Sequence, residues 1–331
     1  MMPVVTRTPL FKRVVQGLCL AAALAPSLAA AQAYPNRPLR FIVPYAPGGV
    51  VDFIGRTVGT RLAVQLGQNV VTDNRPGAGG IIGIDLTAKS NPDGYTIVLM
   101  DPAIVINPSL QAKVPYDVLN GMTTLSVIGS SPLVLAINPQ VPAKDVTSLA
   151  DYARANPAKV NFASAGVGTT THMAGEFFKV RIGQNLTHVP YKGAGPAMAD
   201  LVGGQVQMFF GSITAALPFL KDGRLRGLAT TGPKRTSALP DLPTMIEAGY
   251  PGFEVDLWLG VFGPAKMPRE IVTRLNAETR KALQDGGLRE AFARVGVEPR
   301  DTSPEAGYAV VRAEFEKWSK VVRDAKLKGT N

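Results

Sequence analysis

Cysteine is nearly missing from this chain: among 331 residues there is only Cys19, and it lies in a segment expected to be removed. A mature chain without a thiol has no cysteine nucleophile, no cysteine metal site and no disulfide, which suits an oxidising compartment. Histidine occurs twice, at His172 and His188, so a metal site would need several carboxylates. His172 and Glu176 stand one helical turn apart, but nothing else in the sequence joins them. No basic stripe with interleaved aromatics is present, which argues against a nucleic-acid partner. Basic residues alternate with acids instead, as in Arg269-Glu270 and Arg312-Ala313-Glu314. Long apolar runs are scarce too. Residues 14–28 form one, but it is shorter than the roughly 20 residues a spanning helix needs and contains Gly17 and Pro26.

That run has another meaning. Arg7, Lys12 and Arg13 precede it and Ala31-Gln32-Ala33 follows, the three-part pattern of a cleavable signal peptide over residues 1–33. The mature chain then begins at Tyr34, in the periplasm. Gln16-Gly17-Leu18 before Cys19 does not form a lipoprotein signal, so no lipid anchor is expected. The formal charge of +10 falls by three with the leader. The remaining balance aids capture of anionic solutes or serves solubility alone. About 300 mature residues suffice for two lobes with separate cores.

Short β-rich runs alternate with helical patterns, predicting an α/β fold with largely parallel sheets. Strands are expected at 39–43, 69–72, 95–99, 125–128, 133–137, 160–163, 187–190, 206–210, 225–230 and 255–261. Ile54, Val58, Leu62 and Leu66 recur every four residues, one stripe of a helix from Asp52. Tyr308, Val311, Phe315, Trp318 and Val322 mark the apolar face of a terminal helix. Residues 131–139 and 253–264 are apolar extended runs with proline exits, which read as crossings between lobes. They divide the chain into a discontinuous first lobe, 34–133 plus 256–331, and a second, 134–255, with a two-strand hinge and a cleft.

The most informative feature is a repeated junction. Residues 39–43 lead through Pro44-Tyr45-Ala46-Pro47-Gly48-Gly49 into a helix start at Asp52; residues 69–73 lead through Asn74-Arg75-Pro76-Gly77-Ala78-Gly79-Gly80; residues 159–163 lead through Ser164-Ala165-Gly166-Val167-Gly168-Thr169-Thr170. A strand, a glycine turn and an open helix start leave unpaired N–H groups and the positive end of the helix dipole at one spot, which favours a bound carboxylate or phosphate. Gly48 and Gly49 also fit a plain tight turn, and Gly77 to Gly80 a loop that only shapes the lobe. Neither loop is a nucleotide fingerprint, since Gly77, Gly79 and Gly83 miss the spacing and no lysine follows a glycine run. Asp52 reads as a cap or first-turn carboxylate. His172 and His188 fit a packed interior as well as a site, and Lys192 fits solvent as well as a second carboxylate. Ser164 sits on a strand-turn-helix corner, which leaves a serine hydrolase with a histidine base as an alternative. Phe162, however, replaces the first glycine of a nucleophile elbow.

These landmarks resemble the periplasmic solute receptors of tripartite tricarboxylate transporters, also called Bug-type receptors. The matching segments are Val43 to Gly49 with Asp52 and Arg56, Leu66-Gly67-Gln68, Asn74 to Gly80, Pro92-Asp93-Gly94-Tyr95, and Ala163-Ser164 with Gly166, Gly168, Thr169 and His172. They continue with His188 to Gly193, Leu239 to Thr244 and Glu247-Ala248-Gly249, in order along the mature chain. The resemblance implies a two-lobed, type II-like Venus flytrap with two crossover strands, no enzymatic activity and no cofactor or metal. It implies a monomer that delivers a small organic carboxylate to membrane permease subunits; a membrane sensor kinase could read the same closure. It places the carboxylate between Tyr45 to Asp52 and Ser164 to Thr170, with Thr169 and Thr170 supplying hydroxyls. Gly79, Gly80, His172 and Lys192 are further candidate contacts. Two departures bear on ligand identity. Gly211-Ser212 stands where many relatives carry an aspartate, and Asp101 stands where a short residue is common.

Overall fold

The computed structural model describes residues 2–3, 34–324 and 327; most of the expected leader, including Cys19, lies outside them. By its internal contacts the chain divides into Met1–Asn36, in which the Tyr34–Pro35 peptide is cis, and Arg37–Asn331. Every element below belongs to the second unit. In chain order these are β1 (Leu39–Val43), α1 (Val50–Leu66), β2 (Val70–Asn74), a 3-10 turn (Ala78–Gly80), α2 (Ile81–Ala88), β3 (Thr96–Met100) and α3 (Ala103–Leu110). Then come β4 (Met122–Ile137), α4 (Val146–Ala155), β5 (Asn161–Ser164), α5 (Thr170–Ile182), β6 (Thr187–Pro190), α6 (Ala194–Val202), β7 (Met208–Ser212), α7 (Ile213–Lys221) and β8 (Arg226–Thr230). The chain closes with β9 (Asp256–Pro264), α8 (Arg269–Leu283), α9 (Gly286–Arg294), β10 (Glu298–Pro299) and α10 (Pro304–Asp324).

Strand order explains the two halves. In the first, β1 lies between β2 and β3 and runs parallel to both, and β9 runs antiparallel between β3 and β4. In the second, β5 lies between β6 and β7, parallel to both, while β7 and β8 flank β4 antiparallel. β4 belongs to both halves. Its residues up to Pro132 pair with β9, and from Leu133 onward they pair with β7 and β8. The sequence suggested two strands here, 125–128 and 133–137, and a proline such as Pro132 cannot donate to a ladder. The chain instead keeps one strand and places the proline where its partner changes.

The predicted stripe of α1 is buried: Ile54, Val58 and Leu62 are shielded from solvent, and Gly55 and Gly59 bring the helix against Val43 and Phe41 of β1. Gly67, in the left-handed region at φ 64, ends the helix. A second core gathers Phe209, Met198, Leu201 and Ile213 around the other half. In α10, Val311, Trp318 and Val322 are buried as expected, but Tyr308 is exposed. Buried Gly307 takes the inward position, and a Cβ there would lie 3.3 Å from the Val127 amide nitrogen. The two Trp indoles, Trp258 and Trp318, both donate to Glu314 Oε2, at 3.2 and 3.1 Å.

Beyond the direct pairing of β4 with β9, one buried residue, Thr231, also ties the return crossing to the outgoing one. Thr231 Oγ1 accepts from Leu133 N at 2.8 Å and donates to Val255 O at 2.7 Å, while its backbone bonds the same two residues. Thr231→Val keeps the shape but leaves a buried N–H and a buried carbonyl unpaired, which should cost about 2–4 kcal/mol. Urea unfolding of Thr231→Val and Thr231→Ser checks this: the serine variant should stay near the parent, and a valine variant of unchanged stability would contradict it.

Candidate ligand-binding site

The parallel strands β1, β2, β3, β5, β6 and β7 all lead from their carboxyl ends toward helices, and four of those helices begin around one small chamber. Its wall holds Gly49, Val50 and Val51 from the start of α1, Thr171 from α5, Ala194 at the first position of α6, and Ser212, the N-cap of α7. Each of these termini carries unpaired N–H groups and the positive end of a dipole. Tyr45, Asp52, Asp101, Ala165 and Leu257 complete the lining of this chamber of about 20 Å³, room for little more than a water-sized group. Tyr45 and Ala165 also line an outer cavity of about 210 Å³ with Gly77 to Gly80, Gln111, Gly166, Val167 and Pro190 to Lys192.

The walls come from both halves and touch. Ala46 N donates to Lys192 O at 3.0 Å across the cleft, and Asn107 Nδ2 donates to Gly79 O at 3.1 Å from beneath. Two glycines permit this approach. Gly79 (φ 60) and Gly168 (φ 75) adopt left-handed backbone; a Cβ on the first would strike the Val167 carbonyl, and on the second the Asn107 side chain.

The two acids of the chamber are held differently. Asp52 is in the first turn of α1, as expected. Burial pushes its carboxyl up, but donation from Asn74 Nδ2 (2.9 Å), Arg56 Nε (3.0 Å) and Gly48 N (3.3 Å) outweighs this and holds it below the usual range. It is thus committed to the protein. Burial raises the Asp101 carboxyl to about 6, against hydrogen bonds to Oδ1 from Ala103 N (3.0 Å) and Tyr45 Oη (2.8 Å).

Of the residues singled out in the sequence, Tyr45, Gly49, Asp52 and Asp101 line the inner chamber, and Gly79, Gly80, Gly166 and exposed Lys192 line the outer cavity. Ala46, Pro47, Gly48, Ser164, Gly168, Thr169, Thr170 and His172 line neither. Thr169 is the N-cap of α5, its hydroxyl engaged by Gly166 O, Thr171 Oγ1 and His172 N. Thr170 Oγ1 is buried without a partner. The hydroxyl at the chamber belongs to Thr171, which also accepts from Ala165 N at 2.8 Å. Thr171 and Ala194 were missed, and Ser212 was noted only as a departure bearing on ligand identity: helix phase decides which of three consecutive threonines faces inward, and the starts of α6 and α7 lack a glycine run.

Ser164 is fully buried, with Oγ 2.6 Å from His188 Nε2 and accepting from Gly166 N at 3.1 Å. His188 stacks on Phe162 and His172, with ring centroids 4.8 and 4.2 Å apart, and has no carboxylate partner among the described residues. A hydrolytic triad lacks both its orienting acid and access to the serine. Trp258 is buried with its indole on Glu314. Among the described residues, no group of three or more His, Cys, Asp or Glu is placed to hold a metal ion.

His172 makes a testable contribution. Its Nδ1 accepts from Gly168 N at 3.3 Å, and burial first, then His188 and Lys179, lowers its pKa to about 3. The native state therefore binds fewer protons than the unfolded chain between pH 6.5 and 3, and stability falls as pH drops through that window. On going from pH 7 to pH 5, His172→Gln should lose about 2 kcal/mol less than the parent. Denaturant titrations at the two pH values measure this, and equal losses would contradict it.

Residues 54–327 match the family described as tripartite tricarboxylate transporter family receptor. Protein BugT of Bordetella pertussis is 38% identical over 318 residues, covering 95% of this chain and 98% of BugT. The periplasmic binding protein BugD superimposes with a TM-score of 0.87 at 34% identity, over 89% of this chain and 99% of BugD. Rpa4515 of R. palustris, solved with adipate, gives 0.85 at 35% identity, over 88% of this chain and 98% of its own. On sequence and fold together, the chain belongs to the tripartite tricarboxylate transporter receptor family and has the two-lobed architecture of periplasmic binding proteins.

Proposed function

We propose that this protein is an exported receptor that closes two lobes over a small organic carboxylate and delivers it to the permease subunits of a tripartite tricarboxylate-type transporter. The observation that carries the reading is the convergence of four helix N-termini on one chamber walled by both halves of the sheet. An anion there is solvated by fixed amide dipoles rather than by a basic side chain. The lobes comprise 34–133 with 256–331, and 134–255, divided where β4 changes partner and where Val255 meets Thr231. Closure is favoured only by contacts the ligand gains in the closed form, so affinity draws on groups from both lobes. Residues 1–33 act as the export signal, and no helix among the described residues is long and apolar enough to cross a membrane. The adipate bound by Rpa4515 supports the ligand class. The buried Ser164 favours binding without chemistry.

The protein, unfolded and refolded to remove carried ligand, should bind an acid from a panel of mono-, di- and tricarboxylates one-to-one by calorimetry, and reject the matching amide. Equal binding of acid and amide, or none across the panel, would overturn the reading. Gly79→Ala should weaken that binding at least about tenfold, because the added methyl meets Val167 only when the lobes close. Its cost to the ligand-free fold should stay near 1 kcal/mol, the strain of a left-handed alanine. An unchanged affinity in the folded variant would show that this contact does not accompany ligand capture.

A further inference from the structure

The seam where the two halves meet brings glycine backbone against a buried amide. Gly79 of the first half lies against Gly166 and Val167 of the second, and the Cβ that Gly168 lacks would strike the side chain of Asn107. Asn107 is fully buried and belongs to α3, on the first half's side of the seam. Its position has a local cause. Pro108, inside the same helix, has no N–H to offer Ile104 O, and that carbonyl accepts instead from Tyr116 Oη at 3.1 Å. The Tyr116 hydroxyl in turn neighbours the Asn107 amide.

Hydrogen bonds fix which way this amide points. Gly79 O can only accept, so Asn107 turns Nδ2 toward it, at 3.1 Å, and Oδ1 away. Oδ1 accepts from Gln111 Nε2 at 3.2 Å, and Gln111 lines the outer cavity. A short relay therefore runs from the outer cavity through Asn107 to the Gly79 turn, and Oδ1 is also the atom nearest the Cβ position of Gly168. We propose that Asn107 is a positioning residue for lobe closure: it holds the Gly79 turn and seats Gly168 of the second lobe, while Gln111 makes that seat sensitive to what fills the outer cavity. This role rests on the receptor reading above and adds a residue through which closure is registered. Asn107 lines neither the inner chamber nor the outer cavity, so it acts on affinity without touching an acid bound there.

Calorimetry on the refolded protein with succinate, glutarate, citrate, benzoate and glutamate first finds which of these acids bind, and variants are compared on those. Asn107→Ser removes the donor to Gly79 O and the surface under Gly168, and should weaken binding at least about tenfold. Gln111→Leu should weaken binding at least about threefold in the parent, but less than about twofold when added to Asn107→Ser, because its effect passes through Asn107. A merely structural Asn107 would lower the urea stability of the ligand-free protein without this coupling. Unchanged affinity in folded Asn107→Ser, or losses from the two substitutions that simply add, would overturn the proposal while leaving a carboxylate receptor intact. Binding of none of the five acids by the parent would overturn it together with the receptor reading. If Asn107→Ser does not fold, Asn107→Asp takes its place, since it keeps an acceptor for Gln111 but cannot donate to Gly79 O. Should neither fold, Gln111→Leu decides alone, an unchanged affinity overturning the relay.

Discussion

A strand that runs parallel to its neighbours delivers its last residue, and the helix after it, to the same edge of the sheet as they do. The site depends on that directional constraint twice over. β1, β2 and β3 form one parallel set, and β5, β6 and β7 form another. The carboxyl end of each set faces the cleft. Tyr45, Asp101, Ala165, Ala194 and Ser212 are far apart in sequence, yet each ends or shortly follows a strand of one of the two sets. The make-up of the chamber is therefore set by backbone direction, which brings these distant residues to one place.

The chamber's two carboxylates differ. Asp52 and Asp101 share the chamber wall, but three donors hold the first ionised while burial shifts the second upward. Deeper burial of Asp101 and the Arg56 charge beside Asp52 separate them. Asp52 is thus paired with the Arg56 cation and hydrogen-bonded by Asn74, while Asp101 has no cationic partner among its hydrogen bonds.

The parts of this arrangement that depend on local chemistry were legible in the sequence. Residues 39–52 read correctly because an apolar run, a proline-glycine turn and a four-residue stripe state strand, turn and helix in adjacent words. The start of α7 did not, because Ser212 both ends β7 and caps the helix, leaving no turn between them to notice. Thr171 was hidden by its neighbours, Thr169 and Thr170, which carry the same hydroxyl at different helical phases. Tyr308 fitted the stripe of α10 by spacing alone, but Gly307 supplies the closer packing. The continuity of β4 through Pro132 is a property of its two sets of partners, which no local window contains.

β9 occupies the place between β3 and β4, although more than a hundred residues separate it from either in the chain. As the polypeptide emerges from its N-terminus, β3 and β4 are present long before the strand that joins them. Their facing edges then carry unpaired N–H and carbonyl groups until residue 256 and beyond arrive. The contiguous stretch from β5 to β8 has no such wait. The second half of the sheet can therefore assemble against the far end of β4 while the first half remains open, so nascent chains are most exposed to edge-to-edge aggregation in the interval before their last quarter is released.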